Sequence, residues 1–234
     1  MLQAIAAPWI DRSSLHARYR FLQSGLWEGL QGRRRRTAFL IREAAVMFAD
    51  LRGFTQMAEY LPPRDVVALL QGFYGRMSDI VTRHGGSVEV FLGDGLMATF
   101  VEDDSGRAAA NALNCAEAAF AAMADWNAER ADLALPRVRL SVGLHHGDVV
   151  LSDVTGERQA SVKTLGDVVN VASRLEKLTR EIDCRAVVSD DLVRAARRHS
   201  PRQVAATLTG FSRIDGQRLR GRDRALDIWV LPTR

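Results

Sequence analysis

From residue 44 onward, apolar and polar positions alternate in a regular succession of short runs and helical stripes. AAVMFAD, residues 44–50, is long enough for a buried strand and too short for an ordinary helix. After Pro62-Pro63, the residues Val66, Val67, Leu70, Phe73, Tyr74, Met77 and Ile80 recur at helical spacing until Gly85-Gly86 ends the pattern. SVEVFL and LMATFV then read as two strands separated by Gly93-Asp94-Gly95, a tight hairpin signal. An alanine-rich helix is expected over about 106–130, followed by the strand RVRLSVGLHHGDVVL, a loop TGERQ and a strand near 160–165. A helix near 168–180 follows Gly166-Asp167, where Asp167 can cap it. CRAVVS, the helix DLVRAARRH and a closing strand pair ending in ALDIWVL complete the pattern. Strands that alternate singly and in pairs with helices predict an α+β fold, a mostly antiparallel sheet covered by helices. No period of 20 to 50 residues recurs, which argues against a solenoid.

Residues 1–43 follow no such pattern. Trp9, Tyr19, Phe21, Trp27 and Phe39 make them too apolar for pure disorder, while Gly25, Gly29 and Gly32 keep any helix short. They read as an N-terminal arm that packs on the main domain, residues 44–234, or on a second copy. Composition adds little to this picture: 234 residues, 47% hydrophobic and 26% charged, describe an ordinary globular protein. No apolar segment approaches a membrane span and no secretory signal is evident, so the expected location is the cytoplasm, without stable membrane insertion. Cys115 and Cys184 have no metal-cluster spacing and read as packed thiols. A net charge of +4 is compatible with an anionic ligand. The basic run Arg33–Arg36 lacks interleaved aromatics, so no nucleic-acid partner is expected.

The chemistry gathers around acids that end apolar strands. Asp50 follows AAVMFA directly, and an unpaired carboxylate beside an apolar core is costly. Taken singly, Asp50 could cap the next helix and Asp94 could be an ordinary turn residue. Turn tips of neighbouring strands can, however, bring two carboxylates to one sheet edge, and a divalent cation relieves their repulsion. Mg²⁺ or Mn²⁺ takes one or two carboxylates plus substrate phosphates. After Asp50 the chain turns through Gly53 into a helix, whose free N–H groups suit phosphates. In GDVVNVASRLE, Asn170 and Arg174 are four apart and share a helix face. An amide beside a guanidinium suits ribose and phosphate oxygens.

FADLRGFT, GGSVEVFLGDGLMATF, GLHHGDVV and KTLGDVVNVASRLE, in this order and spacing, resemble the class III nucleotidyl cyclase family over about residues 44–231. The resemblance implies a ferredoxin-like catalytic domain in which Asp50, Asp94 and the carbonyl of Leu51 bind two divalent cations, Mn²⁺ or Mg²⁺. It implies that Arg52, Gly53, Phe54 and Thr55 take the triphosphate through their amides. Asn170 would orient the ribose, Arg174 would stabilise the transition state, and Arg220 is the candidate basic residue for the phosphates. The family also implies a nucleoside triphosphate substrate and a head-to-tail homodimer with composite sites, yielding a 3′,5′-cyclic nucleotide and pyrophosphate. His145 and His146 are not needed as bases and read as strand or turn residues.

The base-reading positions depart from the family. Adenylate cyclases generally carry Lys four residues before the second metal Asp, and Asp or Thr seven before the helix Asn. Here Val90 and Lys163 stand there, and the Glu with a small polar residue usual in guanylate cyclases is also missing. Val90 forms no hydrogen bond, and Lys163 is donor-only, which favours an acceptor such as O4 of uracil. In this the chain looks like the pyrimidine cyclases of bacterial antiphage defence (Pycsar), with UTP favoured. GTP fits the same logic. A one-residue change of register would bring Glu89 or Thr164 into play and restore ATP. A domain that binds nucleotide without turnover is the alternative outside enzymology.

Overall fold

The computed structural model describes residues 39–153 and 162–233, with side chains over 41–151 and 166–233. Residues 1–38, almost all of the expected arm, and the TGERQ loop lie outside the described residues.

The described chain begins with β1 (Phe39–Arg52), α1 (Phe54–Tyr60), α2 (Pro63–Arg83), β2 (Ser87–Leu92), β3 (Gly95–Phe100), α3 (Ser105–Asp132) and β4 (Arg139–Asp153). The strand order β2-β3-β1-β4 makes this half a β-α-β-β-α-β unit, the ferredoxin-like arrangement. It continues through β5 (Val162–Leu165), α4 (Asp167–Glu181), β6 (Cys184–Ser189), α5 (Asp190–His199), α6 (Pro201–Thr207), β7 (Ser212–Gln217) and β8 (Leu226–Pro232). The sheet then extends from β4 through β6 and β8 to β7, with β5 paired to the far end of β4. Among the described strands only β4 and β6 run parallel; the other pairs are antiparallel. The expected α+β architecture is the one observed.

One apolar layer lies between the sheet and helices α2, α3 and α5, with Met47, Leu51, Phe73, Met77, Leu96, Phe100 and Leu192 at its centre. Alanines 108, 109, 112 and 119 of α3 are buried in it, and their small side chains let a long helix sit close to the sheet. Asp104 starts that helix by accepting from the N–H groups of Gly106 (2.9 Å) and Arg107 (3.3 Å). On the opposite face of the sheet, α4 packs Val168 and Ala172 against Val46, Met97 and Val149. A Cβ on Gly143 of β4 would lie 2.2 Å from the backbone N of Glu176 and 2.5 Å from the carbonyl of Ala172. The helix therefore rests directly on the strand backbone.

Three local expectations need correction. The strand expected at 44–50 spans Phe39–Arg52 and pairs with β4 along its whole length. Ile41, Arg42 and Glu43 are exposed, so backbone pairing rather than apolar alternation carries that end. In α2 the buried stripe is Leu69, Phe73, Met77, Ile80 and Val81, whereas Val67 is 52% exposed. Asp167 does not cap α4. Gly166 holds that position at φ +146°, and the Asp167 carboxylate instead faces Arg222 at 3.2 Å.

Candidate active site

Asp50 closes the apolar part of β1, opposite Gly95 at the start of β3. The β2–β3 loop is only Gly93 and Asp94, with a positive φ of 64° at Gly93. Its backbone is fastened to β1, because the Leu51 N–H donates to the Asp94 carbonyl at 3.0 Å. A Cβ on Gly95 would sit 3.0 Å from Asp50 Oδ2 and 2.9 Å from the Ala49 carbonyl, so glycine there lets the carboxylate lie against the turn. The two acids singled out by spacing are thus held at one sheet edge by backbone geometry. Asp50 does not cap α1: Gly53 is its N-cap residue, and no side chain caps it.

A third carboxylate and a guanidinium from α4 join them. Glu176 is 6% exposed, and its Oε1 accepts from the Ser141 hydroxyl at 2.7 Å. The same hydroxyl lies 3.3 Å from the Asp50 carbonyl oxygen. Arg180 forms an ion pair with Asp50 Oδ1 and lies 3.9 Å from Glu176. Burial first, then the negative charges of Glu176 and Asp94, push the Asp50 carboxyl up to about 6 despite the opposing Arg180. Burial and then Asp94 also raise Tyr74, whose hydroxyl donates to the Gly93 carbonyl and whose ring stacks on Phe91. Sequence reading anticipated the acidic pair and missed Glu176, Arg180 and Ser141. The i,i+4 spacing of Glu176 and Arg180 was the available signal.

This donor set suits a hard divalent cation. Asp50 stays under-neutralised by its one guanidinium, and Asp94 adds a second carboxylate at the same edge. Among the described residues no group of three or more His, Cys, Asp or Glu side chains is placed to hold a metal ion, so side-chain ligands would come from the two aspartates alone. Mg²⁺ takes one or two carboxylates and completes its shell with water or phosphate oxygens, a demand that two carboxylates at one edge fit.

Asn170 and Arg174 are placed elsewhere. Asn170 is exposed, and Arg174 donates from Nη1 to the Gly221 carbonyl at 3.2 Å, which sets it beside the loop that carries Arg220. From Arg174 to Arg180 is about 9 Å along α4 and about 120° around it. The pair Asn170–Arg174 and the pair Glu176–Arg180 therefore occupy different flanks of the helix. One chain brings Asp50 to Arg180 and does not bring it to Arg174.

Of the residues expected to receive the triphosphate, Arg52 has another use for its side chain. It is 10% exposed, pairs with Asp183 at 2.9 Å and donates to the Thr179 carbonyl, fastening β1 to the end of α4. Gly53, with φ +73°, is exposed, as is Thr55, and Phe54 packs on the core. Val90 is 41% exposed beside a register shift between Val88 and Val90. At that bulge Glu89 Oε1 accepts from the Thr99 hydroxyl at 2.6 Å. The Lys163 backbone pairs with Ser152, while its side chain and that of Thr164 lie outside the described residues. His145 and His146 are buried in β4, and burial, then Arg222 and His146, drive the His145 imidazole down to about 3. A ring held neutral and inside the strand has the structural role expected of it.

The family model of the adenylate and guanylate cyclase catalytic domain matches residues 39–221. The chain belongs to that family. Among curated proteins, this cyclase domain is 30% identical over 192 residues to the adenylate cyclase of Anabaena cylindrica, covering 80% of this chain and 36% of that protein. It is 29% identical over 191 residues to adenylate cyclase 1 of Rhizobium meliloti, covering 80% and 27%. The chain thus spans about a third of the length of these relatives. The adenylyl cyclase CyaB from P. aeruginosa superposes with a TM-score of 0.69 at 21% identity, covering 84% of this chain and 97% of that one. The guanylyl cyclase Cya2 does so with a TM-score of 0.64 at 26% identity, covering 82% and 92%. The α+β fold and the class III cyclase family are shared with these proteins. No described helix is long and apolar enough to cross a membrane.

Proposed function

We propose that two copies of this cyclase domain, head to tail, convert a ribonucleoside triphosphate into its 3′,5′-cyclic monophosphate and pyrophosphate. The observation that carries this reading is that Arg180, the α4 residue paired with Asp50, lies about 120° around the helix from Arg174. A single chain presents two half-sites on different flanks, and a second copy related by a two-fold axis makes each whole. In the reaction the ribose 3′ oxygen attacks the α-phosphorus and loses its proton, while the bond to the bridging oxygen of the β-phosphate breaks and pyrophosphate leaves. Two divalent cations, Mn²⁺ or Mg²⁺, would neutralise phosphate charge and acidify the attacking hydroxyl. Asp50, Asp94 and the Leu51 carbonyl would hold the ions at the sheet edge, and the amides of 52–55 would receive the phosphates. Asn170 of the second copy orients the ribose. Its Arg174 stabilises charge growing on the transferring phosphoryl group, with Arg220 close by. Nucleoside triphosphates are abundant in the cytoplasm, the location that suits this chemistry.

The favoured substrate is UTP, and the product cyclic UMP would serve as a messenger, as in antiphage defence. Val90 cannot hydrogen-bond a base, and a donor-only Lys163 suits the O4 acceptor of uracil. A second reading, adenylate or guanylate cyclase, is favoured by Glu89, whose carboxylate sits at the bulge beside Val90 and could accept from an amino-bearing base. Purified protein incubated with Mn²⁺ and each of the four ribonucleoside triphosphates, with products separated by chromatography, decides between them. Cyclic UMP as the main product supports the first reading, and cyclic AMP or cyclic GMP replaces it with the second. No cyclic product from any triphosphate leaves a nucleotide-binding domain without turnover.

A further inference from the structure

We infer that Arg180 is the resident counter-cation of the acidic pair, a positioning residue that leaves Asp50 for Glu176 when a divalent ion arrives. The inference rests on the reading of Asp50 and Asp94 as metal ligands. Asp50 Oδ1 is paired with Arg180, while Oδ2 lies on the side of the Gly95 turn, 3.0 Å from where a Cβ on Gly95 would stand. An incoming cation that takes Oδ1 must therefore displace a guanidinium. Arg180 is able to move, because its side chain is 55% exposed at the tip of a long stem. It also has somewhere to go. Glu176 stands one turn earlier on the same helix, 3.9 Å from Arg180 Nε, and is held in place by the Ser141 hydroxyl. A shift of the guanidinium from Asp50 to Glu176 keeps both charges paired throughout. The neighbouring cation, Arg52, lacks this freedom, since its buried side chain is fastened to Asp183 and the Thr179 carbonyl. Arg180 thereby offsets part of the charge of Asp50 and raises the metal concentration needed to fill the site.

The test is Mn²⁺ titration of the nucleotide-free protein, with free ion read by electron paramagnetic resonance. Arg180→Gln removes the competitor and should tighten Mn²⁺ binding roughly fivefold, the factor that a partly exposed ion pair of about 1 kcal/mol carries. Arg180→Lys keeps the charge without the fork and should fall between the two. Lys177→Gln removes an exposed positive charge from the same helix and should change the affinity by less than about twofold, because solvent and salt screen it. Melting curves in EDTA confirm that each variant is folded. An affinity in Arg180→Gln equal to or weaker than wild type overturns the inference, as does an equal gain in Lys177→Gln, which would make the effect one of general charge. If Asp50→Asn abolishes binding while Arg180→Gln changes nothing, the metal assignment stands and only the displacement falls. If the wild-type protein binds no Mn²⁺, both fall.

Discussion

Gly143→Ala puts the geometry of the site under a single-methyl strain. The added Cβ would lie 2.2 Å from the Glu176 nitrogen, 2.5 Å from the Ala172 carbonyl oxygen and 2.7 Å from the Glu176 Cα, all backbone atoms that no rotamer change can move aside. Ordinary contact is near 3.5 Å, so α4 must rise from β4 by on the order of 1 Å. Overpacking of this kind costs about 1–3 kcal/mol, which a domain of this size can survive. Activity should suffer more. The displaced helix carries Asn170, Arg174, Glu176 and Arg180, and a misplacement of about 1 Å at reacting groups lowers turnover on the order of 100-fold. The assay pairs urea denaturation with cyclic-nucleotide formation at saturating Mn²⁺. A cooperative but earlier transition together with the loss of turnover is expected, and Gly143→Ser should be worse. Full turnover in a folded Gly143→Ala would refute the claim that contact between α4 and β4 sets the site.

Other perturbations separate the roles of individual side chains. Asp94→Ala should abolish turnover with little change in melting temperature, since the loop is held by its backbone; retained activity measured with Mn²⁺ would contradict the metal assignment. His145 has a folded pKa of about 3, well below its unfolded value of about 6.5, so the unfolded chain takes up a proton that the native chain does not. Stability should therefore fall as pH drops from 6.5 towards 3, by up to ~1.4 kcal/mol per unit from this group, and urea midpoints for His145→Asn should show a shallower slope. Arg52→Met leaves the Thr179 carbonyl and Asp183 without their cation and should destabilise the fold by about 1–3 kcal/mol in the same urea assay, with an unchanged midpoint arguing against the fastening role.

What could be read from the sequence followed from backbone grammar. The hairpin signal Gly93-Asp94-Gly95 and the strand ending at Asp50 are written in local residue choice, and together they allow both acids to share one edge. The α4 face with Asn170 and Arg174 was legible for the same reason, as a periodic pattern. Glu176 was not, because burial of a charged residue depends on a partner, Ser141, that lies 35 positions away. Arg180 carries no local signal of a partner on β1, and it is the close crossing of α4 over β4 at Gly143 that aims it at Asp50. Arg52 was assigned by its place in a motif for its amide, whereas its side chain answers to the end of α4. The core stripe of α2 was misplaced by its first turn, where Val66 and Val67 mimic a face that Leu69 occupies.

The central claim is that each working site draws its acids from one copy and Asn170 and Arg174 from the other. Inactive Asp50→Ala and inactive Arg174→Ala proteins, mixed and re-equilibrated, should regain roughly a quarter of wild-type turnover, because half of the dimers are mixed and each mixed dimer holds one intact site of two. Mixed dimers shown to have formed, yet forming no cyclic nucleotide, would contradict it.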